Sequence, residues 1–178
     1  MVLMARRSAV LVSGGLAAVA GGALWGVKSL NILLTGDQPP LVFELAPLLF
    51  GLAVTALAAV DRRHASRARW ALALGCVAVV AGSAAALSDL AGELWGPAIA
   101  VAMIAVLVGL ILLGSASRSP IGSVEWVALA IGLVTVPALL VGGALSLIDE
   151  RLLEVPLVLL AGMWIWLGGL MIRERDAS

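Results

Sequence analysis

Seven carboxylates are the residues of this sequence best suited to charge-based chemistry, and most lie where its apolar runs are interrupted. They are Asp37, Glu44, Asp89, Glu93, Asp149, Glu150 and Glu154. The same interruptions carry only two basic residues, Lys28 and Arg151. The summed field of such an acidic rim would concentrate cations or cationic solutes. The simpler interpretation is that loops translocated across a membrane are depleted of arginine, which leaves the acids behind.

Glu44 is the strongest single candidate for contact with a substrate or an ion. It stands a turn inside an apolar run, close to Pro47, and an ionisable residue within a membrane span is a functional hypothesis by default. Lys28, at the end of the preceding run, is its expected ionic partner. A capping acid at a helix amino terminus beside a lysine that extends toward the interface would explain both residues equally well.

Trp164, Trp166 and Pro137 are the remaining candidates. The two tryptophans fall near the middle of the last apolar run, where an indole N–H needs an acceptor on a neighbouring helix. Packing within the bundle is favoured there over a ligand-facing aromatic wall. Pro137 interrupts the fifth run, and broken helices at the midplane mark binding sites in many transporters. A single kink without a symmetric counterpart supports such a site only in part.

The sequence carries no pattern typical of an enzyme, a cofactor site or a nucleic-acid interface. Its only histidine, His64, and its only cysteine, Cys76, cannot assemble a metal centre or a disulfide. It contains no HExxH, no GxSxG and no glycine-lysine phosphate loop. Eleven basic and eleven acidic residues balance and form no basic stripe. We therefore expect no cofactor, no metal, no enzymatic activity and no nucleic-acid partner.

The elements that must position these residues are apolar helices. Of the 178 residues, 62% are hydrophobic and 12% are charged, against about half and about a quarter in soluble domains. A bilayer core requires about 20 apolar helical residues. Six runs qualify, and they cover residues 8–27, 41–60, 70–90, 97–115, 126–147 and 156–172. The sequence thus predicts an all-α bundle of six transmembrane helices that forms a single domain over residues 1–178.

The basic residues predict the orientation of this bundle. Nine of them flank the runs on one side and two on the other, and short basic loops remain cytoplasmic. Both termini are therefore expected in the cytoplasm. The abundance of arginine, alanine and glycine favours the plasma membrane of a bacterium. The alternative for the first run is a cleaved secretory signal, but this run reaches Val27 and is longer than the usual signal core.

The tryptophans and the first long connection indicate where the predicted membrane spans end. Trp25 and Trp95 fall near the outer boundary and Trp70 and Trp126 near the inner one, as in an aromatic belt. The connection 29–40 contains several leucines beside Gly36 and two prolines. We expect it to lie on the membrane surface as a short amphipathic turn.

Small residues on the first helix predict close helix packing. They recur at every fourth position and share one face, as Gly14, Ala18, Gly22 and Gly26. Such faces drive helix association in lipid. Contact within the same chain is favoured over dimerisation, because a six-helix bundle needs such contacts. The third helix repeats the pattern more briefly at Ala78, Gly82 and Ala86.

A weak internal repeat extends this pattern. Gly21-Gly22, Gly82 and Gly142-Gly143 recur at a spacing of about sixty residues, each near the acidic end of its helix. The spacing raises the hypothesis of three parallel two-helix hairpins related by an axis along the membrane normal.

Three functional hypotheses follow from the sequence. The favoured one is a non-enzymatic structural or accessory subunit that docks another membrane protein, or a further copy of itself, through small-residue faces. The second is a small transporter, or the substrate-binding membrane subunit of one, with an acidic outer vestibule near Glu44, Trp164 or Trp166. The third is an enzyme acting on lipid, for which the sequence offers little beyond the outer acids.

Overall fold

The computed structural model describes residues 2–37, 39, 42–61, 65–91, 96–115 and 123–174 of the chain. Within these ranges, the side chains at positions 2–6, 42–44 and 89 lie outside the description. Six α-helices and one short 3₁₀ segment make up almost all of this part, which contains no strand. The chain is therefore all-α, as the sequence predicts.

The helices follow the apolar runs. Their bounds are α1 Val2–Thr35, α2 Val42–Val60, α3 Ala65–Leu90, α4 Gly96–Gly114, α5 Val124–Ser146 and α6 Glu154–Arg173. The 3₁₀ segment, Glu150–Leu153, leads directly into α6. Five helices are long and apolar enough to span a membrane, and the described part of α2, Leu45–Val60, is a shorter apolar helix. All of α2 has 19 residues, about 28 Å at 1.5 Å per residue. The fold is a bundle of six apolar helices, typical of a multi-pass membrane protein.

α1 departs from the predicted bounds at its carboxyl end. The expected surface turn over residues 29–40 is wrong, because α1 continues unbroken to Thr35. No glycine or proline interrupts the chain between Lys28 and Thr35, so the backbone hydrogen bonds of the helix persist. Gly36 ends the helix with a positive φ of 85°, and its N–H donates to the carbonyl of Ile32 over 2.9 Å. This left-handed cap is a conformation that glycine adopts without strain.

Consecutive helices pack side by side, and α6 returns to pack along α1. α2 lies at the centre, where it contacts α1, α3 and α4. Its residues Phe50, Ala53 and Val54 are fully buried. The large apolar side chains of the other helices that remain exposed, such as Leu16 on α1 and Leu140 on α5, are suited to contact with lipid tails. The core therefore surrounds α2.

The glycines of the proposed repeat do not have equivalent neighbours. A Cβ at Gly21 would meet Phe50 of α2, its hairpin partner, and one at Gly142 would meet Leu153 and Pro156 at the start of α6. A Cβ at Gly82 would instead meet Leu48 of α2 and not α4. Symmetric hairpins would place the three glycines alike, so the repeat stays a hypothesis of the sequence.

Candidate functional site

The acidic end of the bundle is defined here by Asp37, Asp149, Glu150 and Glu154. The opposite end, which carries Arg7, Glu125 and Glu174, is called the basic end because most of the arginines flank it. At the acidic end α1 finishes and α6 begins. The first three of the defining acids are exposed, whereas Glu154 is only 5% exposed.

Two stripes of glycine on α1, Gly15 with Gly22 and Gly14 with Gly21, show which faces of this helix pack against α6 and α2. Gly15 and Gly22 face α6, since a Cβ at either would come within 2.8 Å of a backbone carbonyl, that of Gly168 or of Ala161. Gly14 and Gly21 face α2, and a Cβ at Gly21 would come 2.7 Å from the Phe50 ring. Seven residues make almost two helical turns, so each stripe continues at the next seventh residue.

The α6-facing stripe leads to Ser29. The pairs Gly15–Gly168 and Gly22–Ala161 advance by seven residues on each helix in opposite directions, so the next pair in this register is Ser29 with Glu154. Ser29 is fully buried and Glu154 is 5% exposed. The antiparallel packing of α1 and α6 thus brings a hydroxyl and a carboxyl to the same level at the acidic end.

The α2-facing stripe leads to Lys28. This lysine follows Gly21 by seven residues and is 5% exposed, which is unusual for a cation. Glu44 belongs to the first turn of α2, but its side chain lies outside the described residues. The ion pair of Lys28 with Glu44 therefore stays a prediction, although the structure does bury Lys28 on the side of α1 that faces α2.

An aromatic group lies on the midplane side of these residues. The rings of Phe50 and Trp164 stack with centroids 3.9 Å apart, and those of Trp25 and Phe50 are tilted by 55° at 5.5 Å. Trp164 is 1% exposed and joins α6 to α2 by ring stacking, so the structure places it in the core of the bundle. Trp25 is 4% exposed. Its expected place in an aromatic belt is wrong, because it faces inward between α2 and α6.

Three buried polar atoms have no hydrogen-bond partner among the described residues. They are Trp25 Nε1, Ser29 Oγ and Glu154 Oε2. Trp25 and Ser29 are four residues apart on α1, so they share a face, and Ser29 pairs in register with Glu154. An unsatisfied buried polar group costs about 1–3 kcal/mol, and more when it is charged, so each such atom in a folded protein calls for an explanation. We call Trp25, Ser29 and Glu154 the polar cluster.

The 3₁₀ segment Glu150–Leu153 lies next to the polar cluster in sequence, because it leads directly into Glu154. Asp149 caps it by accepting a hydrogen bond from the Arg151 N–H over 2.9 Å. The Arg151 guanidinium packs against Gly36, where a Cβ would lie 2.7 Å from one of its nitrogens. This contact joins the end of α1 to the turn before Glu154.

Two predicted site residues lie away from this cluster. Trp166 is 48% exposed on the outer surface of α6, and Pro137 is exposed on α5. Near Pro137, Thr135 is 2% exposed and its hydroxyl donates to the carbonyl of Ile131 over 2.7 Å. The Thr135 hydroxyl near this proline thus has a hydrogen-bond partner within its own helix.

The basic end holds a second, exposed group of charges, where Glu174 follows α6. Partial burial and the nearby negative charge of Glu125 raise the pKa of the Glu174 carboxyl, while Arg7 opposes this shift. These three residues belong to or adjoin the basic ends of α5, α6 and α1. The group lies on the surface and encloses no site.

The described residues of the polar cluster offer hydrogen-bond donors and acceptors together with a single carboxylate. Across the described ranges, no three His, Cys, Asp or Glu side chains come together, and a calcium ion takes six to eight oxygens. The cluster offers the carboxylate oxygen of Glu154 as an acceptor, the hydroxyl of Ser29 as donor or acceptor, and the Trp25 N–H as a donor. A few polar groups in an apolar setting are typical of ligand sites.

Sequence reasoning placed Glu154 in the acidic rim and Trp25 in a belt, and it passed over Ser29. The signal that could have found Ser29 is its spacing, because Gly15, Gly22 and Ser29 recur at seven residues, the register of antiparallel helix packing. Pairing this series with Gly168, Ala161 and Glu154 requires the contact between α1 and α6. Comparison with protein families, curated proteins and solved structures finds no match to this chain.

Proposed function

We propose that this chain is a non-enzymatic membrane protein that binds a small polar solute inside the bundle at its acidic end, as a small transporter or the substrate-binding subunit of one. The observation that carries this proposal is the polar cluster, with three unpartnered buried atoms on two packed helices. A bound solute would satisfy these atoms and offset the free energy of their burial. The exposed acids Asp37, Asp149 and Glu150 lie at the same end of the bundle.

The packing of α1 and α3 weighs against the accessory role that the sequence alone favours. Gly14, Ala18, Gly22 and Gly26 are turned to α2 and α6 or are buried between them. On α3, a Cβ at Gly82 would lie 2.7 Å from the backbone of α2. The faces expected to dock another protein are thus occupied within the chain.

One observation still favours docking as a second candidate function. Gly162 and Gly169 lie seven residues apart on α6, and neither has a neighbour within 4 Å of an added Cβ. Exposed Trp166 lies between them. A helix of a second copy of this chain could approach closely along this open face.

The first test is mass spectrometry of the intact protein released gently from its native membrane. We expect a lone chain or a homo-oligomer that carries a small molecule. The molecule should be lost in Glu154→Gln and retained in Glu125→Gln, which makes the same charge change on an acid at the basic end of the bundle. A stoichiometric second protein, with no small molecule in any sample, would overturn the proposal in favour of the accessory role.

A further inference from the structure

The chemistry of the polar cluster also selects among solutes. Glu154 Oε2 has no hydrogen-bond donor among the described residues, and a carboxylate that is buried without a donor is costly. Lys28 does not donate to this oxygen, which has no hydrogen-bond partner among the described residues. Arg151 does not either, because its guanidinium packs against Gly36. The missing group is therefore a positively charged donor.

Ser29 narrows the kind of donor. Its Oγ is fully buried and unpartnered, and the helix register places it opposite Glu154. Two acceptor oxygens on facing helices suit a group with several N–H donors. A primary ammonium carries three such donors. A metal ion would need more oxygens than the described cluster presents.

Trp25 requires that the solute also carry a hydrogen-bond acceptor. Its Nε1–H is a donor only and has no described acceptor. It lies one helical turn toward the midplane from Ser29, about 6 Å along the axis of α1. A solute with an acceptor a few bonds from its ammonium group would offer a partner to each of the three atoms, and the indole ring attracts a cation as well.

We propose that the polar cluster binds a small primary ammonium compound that carries a hydroxyl group. Its ammonium donates to Glu154 and Ser29, and its hydroxyl accepts from Trp25. The exposed acids Asp37, Asp149 and Glu150 at the same end raise the local concentration of such a cation. This inference rests on the proposed function, because it names the solute class of the same site.

Three probes of nearly equal size test the inference on the full chain in lipid nanodiscs at neutral pH. Ethanolamine carries the ammonium and the hydroxyl, ethylene glycol lacks the charge, and glycolate inverts it. We expect ethanolamine alone to raise the thermal unfolding temperature in a saturable manner. The apparent affinity should fall about 10- to 100-fold in Glu154→Gln and about three- to tenfold in Ser29→Ala, with no change in Glu125→Gln, which neutralises an acid at the basic end. Glu154→Asp, which keeps the charge, should retain part of the binding if Glu154→Gln fails to fold.

The outcomes separate the two proposals. Equal stabilisation by ethylene glycol or glycolate that still depends on Glu154 would overturn the ammonium assignment and leave the solute-binding function in place. Stabilisation by ethanolamine that persists in both Glu154→Gln and Ser29→Ala would place any cation site elsewhere and overturn the inference. If none of the probes binds and native protein also carries no small molecule, both proposals fail.

Discussion

At the residue scale, the candidate site is marked by buried polar side chains that have no hydrogen-bond partner. Other buried polar side chains of the bundle do have one. Ser29 and Thr135 are both buried hydroxyl residues of apolar helices. The Thr135 hydroxyl bonds back to Ile131, whereas Ser29 has no such bond. A serine in a membrane helix commonly bonds to the carbonyl four residues earlier, so its failure to do so leaves Ser29 available to another group.

Ser29→Ala should stabilise the solute-free protein. The change removes an unsatisfied buried hydroxyl, whose burial costs about 1–3 kcal/mol, and it leaves the stripe that faces α6 small. We expect a higher midpoint of thermal unfolding in nanodiscs without added solute. Thr135→Val is the matched control, since it deletes a satisfied hydroxyl and should leave the midpoint unchanged or lower it. A lower midpoint for Ser29→Ala would mean that its hydroxyl has a partner in the solute-free protein.

At the element scale, glycine contacts between α1 and α6 set the position of the polar cluster. A Cβ at Gly168 would lie 2.5 Å from the carbonyl oxygen of Gly15, and one at Gly15 would lie 2.8 Å from that of Gly168. Neither backbone can yield without moving its helix. The close approach of Gly15 and Gly168 therefore sets the register in which Ser29 pairs with Glu154. Gly15 lies about four helical turns from Ser29, toward the basic end of α1.

Gly168→Ala should destabilise the bundle, whereas Gly169→Ala should not. Overpacking at the first position costs about 1–3 kcal/mol, because the added methyl group meets backbone. At the neighbouring position nothing lies within 4 Å of a Cβ, and alanine gains up to about 1 kcal/mol of helix propensity. Thermal unfolding of the two variants in one detergent compares them directly. Equal midpoints would contradict the close packing of α1 against α6.

At the scale of the whole molecule, the six helices place the charged residues that the structure describes at or near two ends. Ser115 follows α4 at the basic end and Glu150 precedes α6 at the acidic end, and both are exposed. The excess of basic residues predicts that the basic end faces the cytoplasm. If the proposed site takes up a solute from outside the cell, its acidic approach must face outward.

Cysteine labelling in intact cells tests this orientation. With Cys76 replaced by serine, a membrane-impermeant maleimide should modify Glu150→Cys and leave Ser115→Cys unmodified until the cells are lysed. The basis is the nine-to-two distribution of basic residues. The reverse pattern would invert the bundle and place the acidic end in the cytoplasm.

The sequence by itself determined the fold class and the bounds of most helices. Apolar runs of sufficient length have one stable form in lipid, because every backbone polar group must be satisfied within the helix. The length and apolarity of each run were enough to predict a helix. The end of α1 likewise depends on a local feature, because Gly36 adopts a positive φ directly after Thr35. The small-residue spacing on α1 likewise indicated that this helix packs closely.

Only the tertiary structure decided which side chains meet. Ser29 and Glu154 are 125 positions apart in the sequence, and no local pattern links them until α6 packs antiparallel to α1. Trp25 is buried against Phe50 of α2, while Pro137 and Trp166 lie on the outer surface. Helix periodicity determines which residues share a face of one helix. The helix that packs against this face depends on close packing over the whole bundle. The candidate site lies where the faces of two helices meet, so the sequence alone did not locate it.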